Sequence, residues 1–143
     1  MERSFGVMEN KLITEYETLA KDANVKWIDY VPEGGESREQ VRNRVRKFVL
    51  ETVCKNANLQ VDDGLVPQVL VVCHGGVIRE LFTAIFDEMK CELPSGCKPG
   101  DHKILAKNTS WSRFEVKVSS EDYKVQSLIC TDLCNAKHLE NVK

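Results

Sequence analysis

The run Val69-Leu70-Val71-Val72-Cys73, closed by His74-Gly75-Gly76, constrains the fold more than any other part of the chain. A continuous valine-rich run has no polar face to turn toward water. It therefore reads as a central strand of a parallel sheet covered on both sides. From Val77 the apolar positions Val77, Ile78, Leu81, Phe82, Ile85 and Phe86 return at helical spacing. Strand, tight turn and helix in succession predict an α/β protein.

The other elements follow without repeats, low-complexity tracts or linkers. Leu12, Ile13, Tyr16, Leu19 and Ala20 predict a first helix that fades at Asp22 to Asn24. Pro32 to Gly35 is a loop. Ser37 with Gln40 is a capping box, and Val41, Val45, Phe48, Val49 and Val53 form the stripe of a long amphipathic helix behind it. Arg38, Arg42, Arg44, Arg46 and Lys47 read as its solvated face. Asn56 to Pro67, with Asp62-Asp63-Gly64, is a turn or surface loop, and Cys91 to Lys107 a second loop. Phe114, Val116 and Val118 alternate with polar residues, Ser119 to Asp122 supplies a turn and Tyr123 to Cys130 returns, predicting an edge hairpin. Asp132 to Lys143 reads as a weak helix or tail.

With 143 residues, 42% of them hydrophobic, the chain has room for one core and not two. Its 20 Lys+Arg against 22 Asp+Glu and mean hydropathy of -0.33 argue against disorder. A net charge of -2 gives no basic footprint for nucleic acid or an anionic membrane. No apolar leader and no span of roughly 18 to 20 apolar residues is present, so a soluble cytoplasmic protein is the expectation. In that compartment Cys54, Cys73, Cys91, Cys97, Cys130 and Cys134 are expected to be reduced thiols, and without a Cys-x-x-Cys pattern they do not read as a metal site. Asn108-Thr109-Ser110, a glycosylation acceptor pattern, is expected to be silent there. Any anion site must be local.

The turn His74-Gly75-Gly76 is the place for one. At the end of a parallel strand, free N–H groups and the positive end of the helix dipole face the crevice where such folds bind anions. Glycines there allow a phosphate to approach the backbone, since no Cβ intrudes and positive φ costs little. His74 can hydrogen-bond a phosphoryl group or, protonated, stabilise its charge. A structural histidine is the competing reading, and Arg79 either adds charge or makes a surface ion pair.

Glu2-Arg3-Ser4-Phe5-Gly6, then Pro32-x-Gly-Gly-Glu36-Ser37, then Val-Leu-Val-Val-Cys-His74-Gly75 occur in that order. Together they resemble the histidine phosphatase (phosphoglycerate mutase-like) superfamily over Glu2 to Phe86. Lys90 to Pro94, Asn108 to Ser110 and Cys130 to Leu139 look most like its fructose-2,6-bisphosphatase, TIGAR-like branch. The resemblance implies a three-layer αβα fold and hydrolysis of a phosphate monoester through a phosphohistidine, without a cofactor. It implies Glu2 as the acid protonating the leaving oxygen, Arg3 as a ligand of the substrate's anionic groups, and His74 with the Gly75 N–H as stabilisers of the phosphoryl oxygens. A small phosphorylated sugar is the implied ligand, with neither nucleic acid nor membrane as partner.

The family's Leu-x-Arg-His-Gly motif, which carries the nucleophilic histidine, has no counterpart, and neither has its Ser-x-x-x-Arg-Ala-x-Gln-Thr segment. His102 and His138 have no glycine turn behind them and are not substitutes. The expectation is therefore residues 1–143 as a partial, N-terminally truncated histidine phosphatase domain, inactive by itself. It is expected to have an exposed sheet edge, poor independent stability or self-association. The alternatives are a catalytically silent phosphate- or partner-binding module, and a phosphoglycerate mutase or other phosphatase of the superfamily.

Overall fold

A computed structural model describes residues 2–56, 66–103, 106–119, 121, 122 and 124–140. The expected turn at Asp62 to Gly64 and the start of the return strand at Tyr123 lie outside them. Helix α1 spans Ile13–Asp22 and α2 spans Arg38–Phe48. The Ser37 hydroxyl accepts from the Gln40 N–H at 3.1 Å while the Gln40 side chain accepts from the Ser37 N–H at 2.7 Å, so the capping box forms in full. Helix α3 spans Gly75–Phe82. Both α2 and α3 run on into a wider π-type turn, Val49–Cys54 and Thr83–Glu88 respectively.

Strands β1 (Trp111–Val118) and β2 (Val125–Asn135) pair antiparallel, with Phe114 opposite Cys130 and Val116 opposite Leu128. Residues Asp132 to Asn135, expected in a weak helix or tail, instead extend β2, because Arg113 and Trp111 continue the ladder opposite them. Among the described residues beyond them, only Lys137–Leu139 form a short helical turn. On the other edge of β2, Glu92 donates to Leu128 O and accepts from the Cys130 N–H, at 3.0 and 2.9 Å. The inner face of the hairpin, Phe114, Val116 and Val118, packs on Phe82, Ile85 and Phe86 from the α3 rod and on Val49 and Cys54 from the end of α2. Aromatic edges meet there, Phe82 against Phe86 at 5.8 Å and Phe86 against Phe114 at 5.9 Å between ring centres. A smaller cluster of Val41, Val45 and Val77 joins α2 to α3. The result is an α/β arrangement, as expected.

The central strand is not formed. Val69 to Cys73 carries no ladder, and among the described residues its backbone groups have no hydrogen-bond partner. Leu70 and Val72 are 89% and 86% exposed. The physical reason is direct: a strand exists only as part of a pair, and no described segment lies alongside to supply the second half. The six cysteines are free thiols. Burial pushes the Cys91 thiol up to about 11 and the Cys130 thiol to about 12. Among the described residues no helix is long and apolar enough to cross a membrane.

Candidate functional site

The first residues are laid along the loop that precedes α2. Phe5 pairs with Gly35, Glu36 N donates to Ser4 O at 2.9 Å and Val7 N to Glu33 O at 3.0 Å. Gly6 sits at the crossing with φ +52°, and a Cβ there would run into the Glu33 carbonyl and the Gly34–Gly35 peptide. Only glycine fits such a position. The Glu36 carboxylate accepts from Arg44 Nε and Nη2, each at 2.9 Å, and from the Ser4 N–H at 3.0 Å. These hydrogen bonds, the Arg44 one first, hold its carboxyl below the usual 4.5.

Arg3 is committed to backbone. Its Nε donates to Glu36 O at 2.8 Å, Nη1 to Ile28 O at 2.8 Å and Nη2 to Tyr30 O at 2.5 Å, with the guanidinium 5.5 Å from the Phe5 ring centre. Three of a guanidinium's five N–H donors are thus used to tie the 28–36 stretch to the N-terminal segment. The Tyr16 hydroxyl donates to the same Tyr30 carbonyl at 2.6 Å, and burial raises its phenol above the usual value.

This strapping delivers Glu2 to the start of α3. His74 is the N-cap residue, extended at φ -101° and ψ 162°, with its side chain 70% exposed. Its Nδ1 lies 3.7 Å from Glu2 Oε2, while Glu2 Oε1 accepts the Arg3 N–H at 3.0 Å. Burial, and then the Glu2 charge, raise the adjoining Cys73 thiol. Gly75 and Gly76 open the helix, so their N–H groups have no intrahelical acceptor and face outward at the positive end of the dipole. Neither glycine has a positive φ, so conformational freedom is not their use here. The junction therefore combines a carboxylate, an imidazole and two free N–H groups, a set able to donate a proton and to hold an anion.

Of the expected solvated face of α2, Arg46 and Lys47 are exposed as expected, but Arg38, Arg42 and Arg44 are only partly exposed and are paired with carboxylates. Arg38 Nε and Arg42 Nε contact the two oxygens of Glu80 at 2.6 and 3.0 Å, and Glu80 is 3% exposed. The Glu80 hydrogen bond raises Arg38 further above its usual value. Arg38 also reaches Asp29 at 3.1 Å, and Arg42 and Arg46 reach Glu88 at 3.6 and 4.0 Å. Arg38 and Arg42 thus form a clamp that fixes α2 against α3 and so aims the N-terminus of α3. Sequence reading missed it, although one signal existed: Glu80 follows Val77 by one helical turn and falls on the buried side. Arg79 forms no ion pair among the described residues. His102 bonds Asp87 at 3.0 Å and His138 bonds Thr109 at 3.2 Å. Among the described residues no cluster of three or more His, Cys, Asp or Glu is placed to hold a metal.

A family model described as histidine phosphatase superfamily (branch 1) matches residues 1–126. Among curated relatives, the chain is 31% identical over 166 residues to fructose-2,6-bisphosphatase TIGAR B of Danio rerio, covering 99% of this chain and 65% of that protein. It is 27% identical over 167 residues to the probable fructose-2,6-bisphosphatase TIGAR A of the same species, covering 98% and 65%. Fructose-2,6-bisphosphatase TIGAR of Xenopus tropicalis is 25% identical over 179 residues, covering 99% and 65%. The chain thus spans 65% of the length of these relatives. The aligned stretches exceed its 143 residues, so the relatives carry residues inside the matched region that this chain lacks.

Proposed function

The chain belongs to the histidine phosphatase superfamily, and from that premise we propose that its ligand is a phosphate monoester, most specifically the 2-phosphate of fructose 2,6-bisphosphate. Its α/β arrangement is consistent with the family's αβα fold. The observation that carries the reading is the 3.7 Å approach of Glu2 to His74 above the free N–H groups of α3. In this role the Gly75 N–H and the His74 imidazole hold the phosphoryl oxygens, and Glu2 supplies the proton to the departing sugar oxygen. Arg3, which the resemblance implies as a ligand of the substrate's anionic groups, acts in this reading mainly by holding Glu2 in place, since its guanidinium is given to three carbonyls and lies against the Tyr16 hydroxyl. The setting is cytoplasmic, with neither nucleic acid nor membrane as partner.

Transfer to a phosphohistidine needs a nucleophilic histidine, and residues 1–143, a partial histidine phosphatase domain in this reading, contain no Arg-His-Gly. The 143-residue polypeptide incubated with fructose 2,6-bisphosphate is expected to release phosphate no faster than its His74→Ala variant. Turnover above that background contradicts the reading.

A second reading, a silent binding module, is favoured by the open segment Val69 to Cys73. No Asp, Glu, Lys or Arg interrupts Val66 to Ile78, so nothing there blocks pairing with a second copy. Sedimentation is expected to show self-association that Leu70→Lys/Val72→Lys abolishes, with stability changed by only about 0.5 kcal/mol as at other exposed positions. A monomer at all concentrations, or a double variant that unfolds, removes this reading.

A further inference from the structure

Gly76 is the second residue of α3, and its backbone is ordinary right-handed helix. Glycine is among the poorest helix formers, so conformation gives no reason for it there. Space does. A Cβ on Gly76 would lie 2.9 Å from Glu2 Oε1 and 3.8 Å from Glu2 Cδ, and among the described residues within 4 Å of no other group outside its own helix. Among the described residues neither a backbone segment outside the helix nor an apolar side chain is crowded at that point, and the conflict is with one carboxylate. That carboxylate is the far end of a flexible side chain, held at Oε1 by the Arg3 N–H at 3.0 Å and set with Oε2 3.7 Å from His74 Nδ1. An added methyl group displaces the carboxylate and leaves the helix in place.

We infer that Gly76 is a positioning residue: its missing side chain is the seat that keeps the Glu2 carboxylate beside His74 at the N-terminus of α3. The two glycines then divide the work, Gly75 presenting its N–H to an anion and Gly76 accommodating the acid. The catalytic meaning of the seat rests on Glu2 as proton donor, but the seat itself is geometry and is testable without turnover.

The test compares Gly76→Ala, Glu2→Ala and the double variant by thermal unfolding and by the NMR signals of the His74 ring. Gly76→Ala in the native background is expected to move the His74 signals toward those of Glu2→Ala, while unfolding remains cooperative. Adding Gly76→Ala to Glu2→Ala is expected to leave His74 unmoved and to raise Tm by roughly 2–4 °C, the ordinary gain of alanine over glycine in a helix. Adding Glu2→Asp to Gly76→Ala, which shortens the acid and makes room for the methyl group, is expected to return His74 part of the way. His74 signals that ignore Gly76→Ala, or that shift equally with Glu2 already removed, overturn the inference. If Gly76→Ala does not fold, recovery of folding in the double variant supports the seat, and failure of both overturns it. A phosphate titration of the native chain separates the two readings, because loss of phosphate binding there counts against the proposed function and leaves the seat untouched.

Discussion

Exchanging both Arg38 and Arg42 for alanine is expected to cost about 3–5 kcal/mol of folding stability, the range for stranding a buried charge. The reason lies in the asymmetry of the cluster. Glu80 is 3% exposed, whereas the side chains of Arg38 and Arg42 are 33% and 28% exposed. Losing both cations leaves a carboxylate in a place water does not reach. Losing Glu80 leaves two cations that can turn outward, so Glu80→Ala is expected to cost less, about 2 kcal/mol after solvent screening. Either arginine alone, with the other still in place, is expected to cost about 1–2 kcal/mol. Adding Glu80→Leu to the double arginine variant removes the stranded charge and puts an apolar side chain beside Val77 and Leu81, so much of the loss is recovered. Urea unfolding midpoints of these variants check the order. If Glu80→Ala proves worse than the double arginine variant, the buried carboxylate is not the group that needs compensation.

Gly6→Ala is the second large effect, and it reaches the site. An alanine held at φ +52° costs about 1–2 kcal/mol for the left-handed conformation alone. To this is added the collision of its methyl group with the Glu33 carbonyl and the Gly34–Gly35 peptide. Those are backbone atoms, fixed by the Phe5–Gly35 pairing and the Val7–Glu33 hydrogen bond, and they cannot yield without breaking both. Gly34→Ala makes the control. Gly34 has φ +71°, yet the nearest atom to its added Cβ is the Gly6 Cα at 3.7 Å, an ordinary contact. It is expected to cost only the conformational part, about 1 kcal/mol. Hydrogen exchange at the Val7 and Glu36 amides is expected to accelerate strongly in Gly6→Ala and weakly in Gly34→Ala. Equal acceleration in the two would show that close approach is not what Gly6 provides.

The elements legible in the sequence were those whose cause is local. Ser37 and Gln40 are three residues apart and cap each other, and the alternation of Phe114, Val116 and Val118 fixes which face of the hairpin is buried. The Val69 to Cys73 run had the right composition for a strand, but strand formation needs a neighbour, and composition does not contain one. Arg38, Arg42 and Arg44 looked as solvated as Arg46 and Lys47 are, because their partners, Glu80 and Glu36 above all, lie on other elements. Arg3 gave no sign that carbonyls of Ile28 and Tyr30 would receive it. The approach of Glu2 to His74 was available only through resemblance to a family, since no periodicity links residues so far apart. The wider turns that end α2 and α3 are equally silent, because apolar spacing there still reads as α-helix.

All of this converges on one place, the N-terminus of α3, where a carboxylate and an imidazole meet two free N–H groups. The most direct measurement is an NMR titration of the 143-residue chain with fructose 2,6-bisphosphate, following the Gly75 and Gly76 amides and the His74 ring. The account predicts that these signals move together and saturate, that His74→Ala removes the saturation, and that the Arg38 and Arg42 side-chain signals stay where they are. Saturating shifts at those arginines or on the hairpin, with Gly75, Gly76 and His74 unmoved, would contradict it.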